Sequence, residues 1–212
     1  MPNDRAPSPR RKGLAVVWIS IGTILLIVIG GIALIQLNPR KGGSSSALAG
    51  VGGPFSLVDH RGRPVTERDY LGKPTLIFFG FTNCPDICPT TLFELTTRLK
   101  ELGSEADRLN VLFITVDPER DTPEQLALYL SSFDPHITGL SGTLENIAAV
   151  MTRYRVYARK VPLDGGGYTM DHTAAIYMMN GKGQFTGIMN YQEPDASARE
   201  KLRRLIDSGG PS

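Results

Sequence analysis

Apolar positions change their spacing along the chain, and each spacing predicts a different element. From Leu14 to Leu37 they form a continuous run, LAVVWISIGTILLIVIGGIALIQL, of 24 residues without a charge. At about 1.5 Å rise per residue, a helix of that length spans a ~30 Å hydrocarbon core with some tilt. Trp18 near one end suits an interfacial aromatic. After this run the pattern becomes that of a globular domain. Phe55 to Val65 reads as two short extended runs about a turn at Arg61 and Gly62. Thr75–Phe81 and Asn110–Val116 are short, continuous apolar runs, as buried strands are. Between them, Leu92, Leu95, Leu99 and Leu102 recur at helical spacing over Thr90–Leu102. Thr122 caps a second helix, with Pro123 at its first position and Gln125 completing a capping box. Thr143 caps a third helix reaching Tyr154, and Asp195 caps a last one through Ile206. Thr173–Met179 and Gln184–Met189 read as strands joined at Asn180 and Gly181. A β-hairpin followed by β-α-β-α-(α)-β-β-α implies an α/β domain, a mixed sheet flanked by helices.

The pattern divides the chain into residues 1–13, a transmembrane helix over 14–37, a flexible Gly/Ser/Ala linker over 38–53 and a domain over 54–212. A cleaved signal peptide fits less well. Its apolar stretch would be shorter, and the Ala47-Leu48-Ala49 triplet lies too far past the run. Arg5, Arg10, Arg11 and Lys12 precede the span and only Arg40 and Lys41 follow it, which puts residues 1–13 in the cytoplasm. The N-terminus has no amphipathic Arg/Ser-rich presequence, so the expectation is a single-pass protein of the bacterial inner membrane, its domain on the periplasmic side. Of 23 basic and 21 acidic residues, six bases and one acid lie in residues 1–41, leaving the remainder slightly acidic. That balance argues against a nucleic-acid partner, which needs a basic face.

The chain has two cysteines, Cys84 and Cys88, so a disulfide scaffold and a four-cysteine zinc site are excluded by counting. They stand between a buried strand and a helix expected to begin at Pro89, and a helix N-terminus favours the thiolate. A plain disulfide is the alternative, but a loop this short constrains little of the unfolded chain. Of three histidines, His60 and His136 fall in turns with nothing to direct them to a metal. His172 precedes a buried strand read as antiparallel. Its start then lies beside the C-terminal ends of the parallel strands, where the cysteines are, which makes His172 the third candidate ligand. Two thiolates and an imidazole are a soft, low-coordinate set that selects copper(I), with zinc as competitor if water or a carboxylate such as Asp171 supplied a fourth ligand.

Three motifs in order carry a family resemblance: Gly80 to Pro89 (GFTNCPDICP), Val116 to Pro123 (VDPERDTP) and Asp171-His172-Thr173. Over residues 54–208 the chain resembles the Sco/SenC family of membrane-anchored, thioredoxin-like copper proteins. The resemblance implies a thioredoxin-like fold, one copper ion per chain on Cys84, Cys88 and His172, and a partner in cytochrome c oxidase subunit II or another copper protein. Family members deliver copper to the CuA centre or reduce the cysteines that will hold it.

Rival readings stay open. A metal-independent thiol–disulfide oxidoreductase would use Cys84 and Cys88 as its catalytic redox pair, although such enzymes carry CxxC and a proline where Thr169-Met170-Asp171 stands. A peroxiredoxin would need Thr at position 81, which is Phe81. A copper or redox sensor also fits. The stretch with Asp117 and Asp121 reads as a strand-end turn leading into the Thr122 cap, with Asp117 near the metal loop, tuning it or docking a partner, as the alternative. Arg155 to Lys160 reads as a solvated basic edge or a docking patch, and Leu163 to Tyr168 as a flexible loop.

Overall fold

Thr75–Gly80 and Asn110–Thr115 lie side by side in the middle of a seven-stranded sheet. The computed structural model describes residues 50–209, together with Gly22. The strands are β1 (Ser56–Asp59), β2 (Pro64–Thr66), β3 (Thr75–Gly80), β4 (Asn110–Thr115), β5 (Ile137–Ser141), β6 (Ala158–Pro162), β7 (Tyr168–His172), β8 (Ala175–Met179) and β9 (Phe185–Asn190). The helices are α1 (Ile87–Leu102), α2 (Pro123–Leu130), α3 (Leu144–Tyr154) and α4 (Asp195–Ser208). The sheet order is β2-β1-β5-β4-β3-β8-β9. β3, β4 and β5 run parallel, while β8, β9 and the β1–β2 hairpin are antiparallel additions. All six residues of β3 are buried, as in a strand covered on both faces. Phe78, Phe79, Phe113, Leu112 and Ile114 are almost fully buried and form the centre of the core.

Two of the helix starts follow their sequence signals, whereas Asp195 is not a cap: it is the first residue of α4, behind an N-cap at Pro194 that makes no side-chain capping bond. Thr122 and Thr143 accept the amides of Gln125 and Asn146 at 3.2 and 3.1 Å, satisfying donors that each helix start leaves free. α1 buries Cys88, Leu92, Leu95 and Leu99 on one stripe, so the second cysteine belongs to the face that packs on the sheet. α1 stops at Gly103, whose φ of 55° a side chain would resist.

Several expectations need correction. Ile137–Ser141, which the expected element order leaves out, is a strand. Residues 155–172, read as a basic edge and a loop, contain the β6–β7 hairpin, a second sheet of its own. His172 therefore ends β7 instead of opening the next strand, and β8 starts only at Ala175. α1 begins at Ile87, two residues before Pro89. The domain also starts earlier than 54: Val51 is buried, and Gly52 donates to the Arg153 carbonyl at 3.0 Å. Among the described residues no helix is long and apolar enough to cross a membrane, and the run at 14–37, Gly22 apart, lies outside them.

Candidate metal centre

The cysteines occupy the turn that leaves the C-terminal end of β3. Gly80, the last residue of that strand, makes room for them: a Cβ there would lie 2.8 Å from Cys88 Sγ and 2.6 Å from Phe113 Cε2. The Cys84 amide donates to the Phe81 carbonyl at 3.3 Å, closing the turn. Cys84 Sγ then faces the first turn of α1 and accepts the Cys88 amide at 3.4 Å. A free helix-start donor is thereby aimed at a sulfur. Cys84 is partly exposed, Cys88 fully buried, and both are free thiols.

β8 pairs antiparallel with β3, Phe78 opposite Ile176, so the segment just before β8 meets the cysteine end of the sheet. There His172 Nε2 lies 3.5 Å from Cys88 Sγ. Its Nδ1–H donates to the Thr173 carbonyl at 3.0 Å, which leaves the Nε2 lone pair for the site. The ring meets Phe81 edge-on at 5.7 Å and Phe78 at 6.4 Å between centroids. The sulfurs of Cys84 and Cys88 and a nitrogen of His172 lie within 4.8 Å of one another. Two sulfurs and one oriented imidazole, walled by aromatic rings, fit a soft cation in low coordination.

The two thiols differ sharply. The Cys88 S–H donates to Cys84, and with help from the amides of Cys88 and Asp86 this holds the Cys84 thiol down to about 4. Cys88 is pushed up by the same bond and by its burial. Cys84 is therefore the thiolate at neutral pH and Cys88 the protonated partner. In the reduced, metal-free protein, iodoacetamide is expected to modify Cys84 at a rate nearly independent of pH between about pH 6 and pH 8, whereas an ordinary thiol accelerates nearly tenfold per pH unit over that range. Cys88 should stay unmodified. An ordinary profile at Cys84, or equal labelling of both residues, would contradict this arrangement.

The remaining candidates lie elsewhere. His60 Nδ1 accepts the Gly139 amide at 3.0 Å, and His136 is held between Asp134 and Asp107 at 2.6 and 3.0 Å. Asp171 is exposed and faces Arg159 at 3.7 Å, outside the three-donor cluster. Asp117 and Asp121 do form the expected turn, with the Arg120 and Asp121 amides on the Asp117 carbonyl. The helix cap is Thr122, as expected, and the Asp121 side chain has a task of its own. Fully buried, it accepts the Thr82 amide and hydroxyl at 3.1 and 2.6 Å and the Thr115 hydroxyl at 2.6 Å, tying the cysteine turn to β4. Burial raises its pKa. No local sequence signal marks this tie, since Thr82 stands 39 residues from Asp121.

Known proteins are similar in sequence and fold. The chain is 54% identical to the copper-bound structure of Bradyrhizobium japonicum ScoI, covering 73% of this chain and 99% of that one with a TM-score of 0.69. Against copper-bound yeast Sco1 the identity is 40%, the coverage 76% and 91%, and the TM-score 0.70. The mitochondrial SCO1 homolog of Mus musculus is 46% identical over 64% of this chain and 49% of its own length. The chain spans about half the length of the curated relatives it matches. Residues 44–207 match the SCO1/SenC family as a whole, and with the thioredoxin-like sheet carrying two cysteines and a histidine to one edge, the chain belongs to that family.

Proposed function

We propose that this protein is a copper metallochaperone of cytochrome c oxidase assembly, holding one copper ion as cargo on Cys84, Cys88 and His172. The convergence of those three donor atoms within 4.8 Å carries the reading. The copper-bound relatives support the identity of the metal. The cargo is taken by the thiolates because soft sulfur favours copper(I), and the partly exposed Cys84 is the donor that an incoming partner's ligands can reach first. The acceptor is a copper protein, and the CuA centre of oxidase subunit II is the one this reading names. Deleting the gene should abolish CuA assembly, with partial rescue by added copper. Normal oxidase in the deletion strain would refute the assignment.

The proposal extends to the membrane. Residues 14–37 anchor the chain as a single span, 38–49 tether it, and the domain works on the periplasmic face of a bacterial inner membrane. A reporter fused after Ser212 should be active only outside the cytoplasm. Activity only in the cytoplasm would reverse this topology.

The paired thiol states favour a second reading. Cys84 thiolate attacks a partner's disulfide and releases one partner thiolate. Cys88 gives up its proton to the partner thiolate released in the first step and, as a thiolate, attacks the mixed disulfide at Cys84. The second partner sulfur leaves, giving a Cys84–Cys88 disulfide and a reduced partner. This reading needs no imidazole donor, so His172→Ala separates the two: a pure reductase keeps its activity and a copper carrier loses affinity.

A further inference from the structure

The β6–β7 hairpin brings His172 to the cysteines without joining the main sheet. An isolated two-stranded hairpin is marginally stable, so its placement depends on what it packs against. The loop between β4 and α2 provides the contact, and Arg120 is its centre. Arg120 Nη1 donates to the Tyr168 carbonyl at 2.9 Å, and its guanidinium carbon lies 3.9 Å from the centroid of the Tyr168 ring. Its Nε is bound by the buried carboxylate of Asp117. Tyr168 Oη closes the ring by donating to the other Asp117 oxygen at 2.9 Å. On the paired strand, Lys160 pairs with Glu119 and sits 4.5 Å from the same Tyr168 ring centroid. Arg120 also lies 5.9 Å from the centroid of Phe81, the residue whose ring meets His172. Its Nη2 is buried with no acceptor, so the guanidinium is not placed here by full satisfaction of its own donors.

Tyr168 opens β7 and His172 closes it. Four residues apart, they share one face of the strand, about 13 Å from each other along it. A clasp at the first therefore fixes the direction in which the second points. We infer that Arg120 is a positioning residue for His172: through Asp117 and Tyr168 it clasps the hairpin to the cysteine end of the sheet, so that the imidazole stands as third donor beside the two thiolates. The inference rests on the reading of these three residues as the copper site. Lysine cannot replace Arg120, because an ammonium has no planar fork to serve Asp117 and the Tyr168 carbonyl while stacking on the ring.

The test uses the full chain in detergent, reduced, as wild type, Arg120→Ala, Arg120→Lys and Tyr168→Phe. In the metal-free protein, the contact between the His172 and Phe81 rings is read as a nuclear Overhauser effect, and amide exchange is followed over residues 157–173. Arg120→Ala and Arg120→Lys should lose the ring contact and exchange hairpin amides at least about tenfold faster, with β3 and β4 unchanged. Tyr168→Phe, which keeps the stack and the carbonyl bond, should retain the contact. With copper(II) added, the two Arg120 variants should lose the His172 nitrogen hyperfine signal and bind about 10- to 100-fold more weakly, the range for losing a residue that orients a ligand. Ring contact and nitrogen signal both intact in Arg120→Ala would overturn the proposal, as would fast hairpin exchange with the ring contact kept. A wild-type protein without the nitrogen signal would refute the copper-donor reading instead, and the metal-free ring contact would still decide the clasp.

Discussion

Cys84→Ser and Cys88→Ser are each expected to lower copper(I) affinity by more than about a thousandfold, because each removes one of only two soft donors and a hydroxyl does not replace a thiolate. The two variants should differ in stability. Cys84 is partly exposed, so serine there leaves the fold intact. Cys88 is fully buried on the packed stripe of α1, and a hydroxyl there costs about 1–3 kcal/mol if it finds no partner. Loss of copper in Cys84→Ser therefore reports on ligation alone and controls for any unfolding of Cys88→Ser. His172→Ala should weaken copper(I) less, since both sulfurs remain, and should chiefly disturb copper(II). A competition titration against a copper(I) chelator, with thermal melts run in parallel, checks the series. Copper(I) affinity in Cys84→Ser equal to wild type would remove Cys84 from the site.

The second large effect concerns Asp121. Asp121→Ala would strip the acceptor from the Thr82 amide and from two hydroxyls. Each buried donor left unpaired costs about 1–3 kcal/mol. Thr82 is only half-buried and both hydroxyls can rotate, so the sum should be about 2–4 kcal/mol, or roughly 4–16 °C in Tm for a domain of this size. Asp121→Asn keeps one carbonyl oxygen, and its amide can donate to a Thr hydroxyl, so it should cost less than half as much. Copper affinity should fall with the Ala variant too, since Thr82 precedes the cysteine turn. A Tm for Asp121→Ala within about 2 °C of wild type would show that the tie is dispensable.

Much of this site could be read from residue order because its main parts are local. The apolar runs around Phe78 and Phe113 mark the parallel pair, Thr122 and Thr143 mark helix starts, and the two cysteines fall on the strand-to-helix turn between them. The antiparallel direction of β8 brings the segment before it, and with it His172, to the cysteine end of the sheet, although His172 itself belongs to β7. What escaped the reading lacks local pattern. β5 is short and interrupted by Gly139, which is small because a Cβ there would lie 2.7 Å from Leu130 Cδ1, a packing demand made by another element. The strands β6 and β7 are mostly exposed or half-buried and rich in charge, so no apolar alternation announces them. The partners of Arg120 and Asp121 include Tyr168 and Thr82, 48 and 39 residues away, and only the fold brings them together.

Titration of a copper(I)-loaded chelator with the protein in its reduced and its oxidised form tests the central claim most directly. A disulfide between Cys84 and Cys88 would remove both soft donors and leave one imidazole, which cannot hold copper(I) against competing thiols. The reduced protein should withdraw about one copper(I) per chain and the oxidised protein none. Equal withdrawal by the two forms would show that the cysteines are not the ligands and that the site does not work in this way.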